Sequence, residues 1–316
     1  MTAADLDQDN ITDYVYAGDA LGNVWRFDLT NANPAAWAAS ATPLFTTPNN
    51  QPITTQIVVA SVPANTGPPR IMLDFGTGQE IPFTNTSAAQ YATGSQALYG
   101  IWDWNMGGAS GWDSKGSTQY ASLTAPQSIT AANLATQTIT TTGTYRQVTS
   151  NPVCFQGSTA CTGGNNQMGW MVSLPGTNEQ IIFNPILELG IFIVNTTIPP
   201  TNHPLTCAST LPTGFTMAIS PVTGGAFPAS VFADSTGSFT NLNISGEEWN
   251  GTGSGEVVTS GGSSNTVGSK VYYVTQTVAG GTNGTSSGNT TTPFTPQQMN
   301  VSGGTQGNRL TWVQRR

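Results

Sequence analysis

Charge is what this chain has least of. Lysine and arginine together number 8 and aspartate and glutamate 16, so charged residues make up 8% of the 316, against roughly 25% in an ordinary soluble domain. With so few cations and a net charge of −8, a phosphate-binding surface for nucleic acid is excluded as a main function. A basic amphipathic stretch for anionic membranes is also missing. Long apolar runs are absent too: the best, IIFNPILELGIFIV (181–194), is broken by Asn184, Pro185 and Glu188, so nothing resembles a membrane span of about eighteen residues. Helix-forming runs of Ala, Leu, Glu and Lys are lacking, which argues against long helices. A single histidine, His203, excludes a zinc site built from several His, and its Pro-rich loop points to the surface.

Cysteines are few. Cys154 and Cys161 bracket a short Gly/Ser/Thr loop and stand either as a disulfide or as two reduced thiols, which leaves Cys207 as the odd one. Met1 opens no signal peptide, which fits either the cytoplasm or a piece of something longer. The abundance of small polar residues favours the second and matches bacterial surface proteins. Few groups titrate, so acid is expected to alter the fold little through linkage, as would suit an acidic or harsh external habitat.

What is present is β-sheet material: 36 Gly, 20 Pro, abundant Thr, Ser and Asn, and 8 Trp, enough to bury a core. YVYAGDALGNVWRFDL (14–29) predicts a hairpin, with alternating aromatic and β-branched residues around a Gly22-Asn23 turn. PRIMLDFGTG (69–78) and ALYGIWDWN (97–105) predict buried strands. Residues 169–199 predict three strands, with Pro-Gly-Thr-Asn and Glu-Leu-Gly as turns, and 214–225 another hairpin arm. The segments 23–31, 169–177 and 214–225 repeat one pattern weakly, and such repeated four-stranded units predict an all-β propeller. Two stretches rich in Gly, Ser and Thr, 105–150 and 234–307, are expected as loop-rich insertions within a domain spanning 1–316. Sequons such as that at Asn289 arise by chance in so Asn- and Thr-rich a chain.

Against this scarcity of charge, DLDQDNITD (5–13) places Asp5, Asp7, Asp9 and Asp13 in nine residues. Like charges this close repel, and the alternating spacing 1, 3, 5, 9 is that of a Ca²⁺ loop, whose cation takes six to eight oxygens. Ile11, at position 7, would give its backbone carbonyl. Position 12 of an EF-hand is acidic, but here it is Tyr16, and a strand follows. The loop is therefore a Ca²⁺ loop between strands. Position 6, usually Gly, is Asn10, a residue that tolerates left-handed backbone. Mg²⁺ fits less well because it demands rigid octahedral geometry. An uncoordinated acidic turn is the plain alternative.

The string DLDQDNITDYVYAGDALGNVWRFDL resembles the signature of the PilY family, the type IV pilus tip-associated and biogenesis proteins. The resemblance continues through PLFTTPNNQPITTQIVV (43–59), IMLDFGTG (71–78), QALYGIWD (96–103), GWMVSLPGTNEQIIFNPIL (169–187), FTMAISPVTGG (215–225) and GNRLTWVQRR (307–316). It implies a modified β-propeller of seven-bladed type, of which this chain carries the later blades. It also implies a Ca²⁺ site made by Asp5, Asp7, Asp9, the Ile11 carbonyl and Asp13. Implied with it are control of pilus extension and retraction, twitching motility and surface attachment, with minor pilins and the pilus tip as partners. The implied location is extracellular, at the pilus tip or the outer membrane of a bacterium. The long N-terminal region usual in the family is missing, as is an Arg-Gly-Asp motif.

Three other readings compete. FTMAISPVTGG resembles blade motifs of quinoprotein dehydrogenases, but no cluster of basic and acidic residues supports that enzyme. A glycosidase would pair carboxylates, and Asp103 and Asp113 flank WDWNMGGASGW; packing is the simpler role for Trp102, Trp104 and Trp112. An adhesin with a purely structural Ca²⁺ site is the third. Glu247 and Glu248 are expected to be a solvated pair. The chain is taken as non-enzymatic.

Overall fold

In a computed structural model the chain is described over residues 1–40, 42–64, 67–82, 84, 86–106, 119–158, 161–162, 164–200, 212–249, 255–261, 270–276, 297–300 and 308–309. It is all-β, as the composition predicts, with only short 3₁₀ turns such as Pro34–Ala36 and Ala131–Asn133 among named helical elements. Three larger sheets follow one another along the chain.

The first sheet orders Thr2–Ala4, Tyr14–Gly18, Asn23–Asp28 and Ala38–Ala39, all antiparallel, with Phe45–Thr46 also pairing on Asn23–Asp28. The predicted hairpin is present, but its turn is one step away from Gly22-Asn23. Gly18 pairs with Val24, and Asp19 to Gly22 make the turn. The reason lies in Asp19, whose carboxylate accepts from the Leu21 and Asn23 amides, the Asn23 side chain and Trp25 Nε1, all at 2.9 Å. Gly22 takes the left-handed backbone (φ 78°) that this closure requires.

The second sheet runs Ala135–Gln137, Gly169–Ser173, Ala97–Trp102, Arg70–Gly76, Val58–Val62 and Asn308–Arg309. Its pairs are antiparallel except Ala135–Gln137 on Gly169–Ser173. The third runs Ile139–Thr142, Tyr145–Val148, Gly246–Trp249, Gly214–Ile219, Ile191–Asn195 and Ile186–Glu188. The three strands expected in 169–199 therefore exist but are shared between two sheets. Nor is 105–150 wholly loop: 135–148 supplies strands to both sheets, while 107–118 lies outside the described residues. Likewise 234–307 holds Gly246–Trp249 and the sheet of Gly255–Gly261, Lys270–Gln276 and Gln297–Met299. Thr-rich alternation builds edge strands as readily as loops. His203, Cys207, Trp112, Asp113 and Asn289 lie outside the described residues.

Burial follows from the layering. Tyr14–Gly18 alternates buried and half-buried, because one face of the first sheet packs inward. Arg70–Gly76, Ala97–Trp102 and Gly214–Ile219 are buried on both faces, as strands between stacked sheets must be. One continuous core, from Ala4, Tyr14 and Tyr16 through Leu73, Trp102 and Trp170 to Phe192 and Met217, spans all three sheets. Gly100 is needed for that stacking: a Cβ there would lie 2.1 Å from Trp170 Nε1, and that nitrogen is held by the Pro221 carbonyl at 3.0 Å. Cys154 and Cys161 form the disulfide that their spacing left open. Stacked sheets are the propeller's architecture, and among the described residues they do not close into a ring.

Two buried ion pairs pin the seams. Arg26, on the first sheet, donates to both oxygens of Asp103, just past Ala97–Trp102 of the second, at 2.8 and 3.0 Å. Tyr16 Oη donates to Asp103 Oδ2 at 2.8 Å. In the third sheet Arg146 holds Glu179 through both guanidinium nitrogens, with Nη2 to Oε2 at 2.8 Å. Asp103 is thus structural, and Trp102 is core, which removes two members of the sugar-binding reading. Arg26→Met should cost about 3–5 kcal/mol, because it strands a buried carboxylate. Chemical denaturation of Arg26→Met, and of the triple variant Arg26→Met/Asp103→Leu/Tyr16→Phe, which also removes the hydroxyl that Asp103 would leave unpaired, checks this: the triple variant should recover most of the loss.

Candidate metal centre

The acidic stretch is the loop of a hairpin. Thr2–Ala4 pairs with Tyr14–Gly18 in the register Thr2 to Tyr16 and Ala4 to Tyr14, so residues 5–13 must leave and re-enter one sheet edge. The Asp13 amide donates to the Ala4 carbonyl at 2.9 Å and closes the loop's neck. Within it the chain turns sharply through left-handed Gln8 (φ 63°) and Asn10 (φ 73°). Asn10 adopts the conformation that its type tolerates; Gln8 is the less expected of the two.

The turn folds the loop's amides onto its own carboxylates. Asp5 accepts from the Asp9 and Asn10 amides at 3.2 and 2.9 Å. Asp7 Oδ1 accepts from the Asp9 amide at 3.2 Å, and Asp13 Oδ2 from the Leu6 amide at 2.6 Å. The result brings Asp5, Asp7 and Asp13 together, with one carboxylate oxygen of each within 4.8 Å of the others. Asp9 is outside that group: its Oδ1 accepts from the Ile11 amide at 2.8 Å. Ile11 is 65% exposed, its side chain turned to solvent.

Electrostatics make this convergence costly. Asp5 and Asp13 are buried and Asp7 half-buried. At an effective dielectric of about 20, unit charges this close repel by roughly 3 kcal/mol per pair. Burial, the first cause, together with the charges of Asp7 and Asp5, pushes the Asp13 carboxyl up to about 6 despite the Leu6 amide that favours its charged form. Hard, oxygen-only donors in an alternating loop are the donor set of Ca²⁺. The residues therefore fit that ion, and a dication would offset the repulsion that the loop otherwise carries.

What surrounds the loop comes from residues far along the chain. Tyr120 Oη donates to the Leu6 carbonyl at 2.6 Å, from a position 114 residues away. Thr2 Oγ1 donates to the Ile57 carbonyl at 2.6 Å. Both contacts tie the loop's base to the second sheet, and only long-range folding reveals them.

Other carboxylates stand apart. Asp74 is wholly buried in Arg70–Gly76, with neither oxygen hydrogen-bonded among the described residues, and burial raises its carboxyl well above the usual range. Glu247 and Glu248 are not a solvated pair. Strand alternation exposes Glu248 but half-buries Glu247, whose Oε2 accepts no hydrogen bond among the described residues. Burial pushes Glu247 up to about 7.

Residues 1–142 match the family model described as the PilY1 beta-propeller domain. The type IV pilus biogenesis factor PilY1 of Pseudomonas aeruginosa is 29% identical over 295 residues, covering 79% of this chain and 23% of that protein. The PilY1 homolog of Xylella fastidiosa is 26% identical over 225 residues, covering 66% and 13%. The crystal structure of the Pseudomonas aeruginosa PilY1 C-terminal domain superposes with a TM-score of 0.61 at 22% identity, over 95% of this chain and 60% of that one. The chain thus spans about a quarter or less of the curated relatives it matches. Residues 1–142 are thus similar in sequence to the PilY1 beta-propeller domain, and the chain's fold is similar to that of the PilY1 C-terminal domain.

The carboxylates set a pH dependence. A carboxyl raised on folding binds more protons when folded than when unfolded, so stability falls as pH rises through the window between the two values. For Glu247 that window runs from 4.5 to about 7. In chelator, the wild type should gain melting temperature relative to Glu247→Gln as pH is lowered from about 7.5 to about 5. Parallel profiles for the two proteins would show that Glu247 is solvated.

Proposed function

We propose that this chain is a Ca²⁺-binding propeller segment of a PilY-type pilus protein, acting at the bacterial cell surface in type IV pilus biogenesis. The observation that carries the reading is the convergence of Asp5, Asp7 and Asp13 in the loop that opens the family-matched region. The name of the Pseudomonas aeruginosa relative, a type IV pilus biogenesis factor, supports the pilus context. Control of extension against retraction, twitching motility and surface adhesion are part of the proposal, with minor pilins or other pilus-tip components as partners. The role is read as binding rather than catalysis. Among the described residues no helix is long and apolar enough to cross a membrane.

The loop's chemistry says how such a role would work. Without a cation, charge among three carboxylates opposes the closed turn; with one, the same charge holds it closed. Ion binding therefore has a differential affinity for two loop states, the requirement for any switch. Asp5, Asp7 and Asp13 would supply side-chain oxygens. Asp9 and the Ile11 carbonyl complete the proposed set, and Asp9 also keeps the turn tight through the Ile11 amide.

Calorimetric titration of chelator-stripped protein with CaCl₂ tests the reading. One ion should bind per chain, and Mg²⁺ should compete poorly. Asp7→Ala should abolish the heat, and Asp9→Ala, which removes another carboxylate of the proposed set, should abolish it too. Micromolar affinity would mark a site filled and emptied in use, whereas much tighter binding would mark a permanent structural ion in an adhesin. No heat and no thermal shift would leave the loop a plain acidic turn.

A further inference from the structure

Tyr120 sits where three parts of the molecule meet. Its hydroxyl donates to the Leu6 carbonyl at 2.6 Å, and its backbone neighbours are tied to the second sheet. Leu6 is itself buried, and its amide holds Asp13 Oδ2 at 2.6 Å. A line of hydrogen bonds thus runs from a carboxylate of the acidic loop through Leu6 to Tyr120, whose backbone neighbours join it to the neighbouring sheet. The tyrosine cannot easily drift: it is 6% exposed, the next amide, Ala121, donates to the Pro69 carbonyl at 2.8 Å, and Leu123 donates to the Trp104 carbonyl at 2.9 Å. Both anchors lie at the ends of second-sheet strands, Arg70–Gly76 and Ala97–Trp102.

We infer that Tyr120 is the positioning residue of the acidic loop: it presets the loop for its cation and carries the loop's state to the seam between the first and second sheets. The inference rests on the Ca²⁺ reading of Asp5, Asp7 and Asp13. Its physical content is an entropy argument. A loop of nine residues must lose backbone freedom to gather its ligands, and a fixed hydroxyl on Leu6 removes part of that loss before the ion arrives. By linkage, whatever Tyr120 contributes to ion binding the ion contributes to the Tyr120 contact. The bound loop would therefore tighten the sheet seam, and the empty loop would loosen it.

Tyr120→Phe keeps the ring and removes the hydroxyl. Tyr99→Phe is the control, another buried tyrosine whose hydroxyl donates at 2.6 Å to Gln51 Oε1, away from the loop. Calorimetry with CaCl₂ on the full chain should show Kd raised about fivefold in Tyr120→Phe, the worth of one hydrogen bond, and unchanged in Tyr99→Phe. Hydrogen exchange in chelator should be faster at the Leu6 and Asn10 amides in Tyr120→Phe only. Wild-type affinity in Tyr120→Phe, with binding intact in the wild type, overturns the inference and leaves the metal reading standing. No heat from the wild type overturns the metal reading instead. Exchange in chelator then decides the anchor alone, and unchanged protection at Leu6 overturns that too.

Discussion

The architecture depends on one buried ion pair. Arg26 reaches from the hairpin of the first sheet to Asp103 at the end of a second-sheet strand, and Tyr16 joins them from the same face. In a chain with 8 basic residues, committing one guanidinium to an almost fully buried seam is a large share of the available charge. Such a pair gives little net stability over a well-packed apolar alternative. It fixes register instead: two sheets that could slide on an apolar interface meet where one guanidinium nitrogen, Nη1, reaches both oxygens of Asp103. Arg26 also lies over the Tyr14 ring, 5.0 Å from its centroid. Tyr14 follows directly on Asp13, so the seam and the acidic loop are joined through the backbone of one strand.

This proximity gives the loop its meaning. Asp13 is the last loop residue, and its amide and carbonyl already belong to the sheet, donating to Ala4 and accepting from Leu29. Its carboxylate is buried against Leu6 rather than held out in water. A cation gathered at such a place acts on the sheet edge and not on a free-hanging loop. The loop's crowding of carboxylates is costly because it is partly buried; in bulk water, with a dielectric of about 80, the same spacing would cost only about 1 kcal/mol per pair.

Much of this was legible in the sequence because it is local. The Asp spacing, the tolerance of Asn10 for left-handed backbone, the hairpin 14–29 and the buried strands at 70–76 and 97–102 all follow from residues near one another. What escaped was set by distance or by competition. The hairpin turn shifted to Asp19–Gly22 because one carboxylate gathers two amides, a carboxamide and an indole, which a Gly-Asn pattern does not reveal. Strands in 135–148 were hidden by a Thr-rich composition that serves edges as well as loops. Glu247 was read as solvated because its neighbour Glu248 is charged too; strand alternation separates the two faces. The role of Asp103 needed Arg26, 77 residues away, and that of Tyr120 needed Leu6.

The scarcity of charge also bears on how the fold meets acid, and here counting and placement disagree. By count, few groups titrate and little should change. By placement, among the described residues buried Asp74 has neither carboxylate oxygen hydrogen-bonded and half-buried Glu247 has none at Oε2, so protonation relieves them. Asp234 acts oppositely. Hydrogen bonds from the Thr236 hydroxyl, the Ser238 amide and the Asn241 side chain hold it down to about 2, a contribution present above 3.8 and lost only as pH falls toward 2. Mild acid therefore favours the sheets, while protons compete for any carboxylate that must be ionised to hold a cation. The two effects oppose each other across one pH range: the scaffold gains where the proposed ion site is weakened. A propeller built this way would stay folded in mild acid while its loop empties, which separates the survival of the fold from the state of the site.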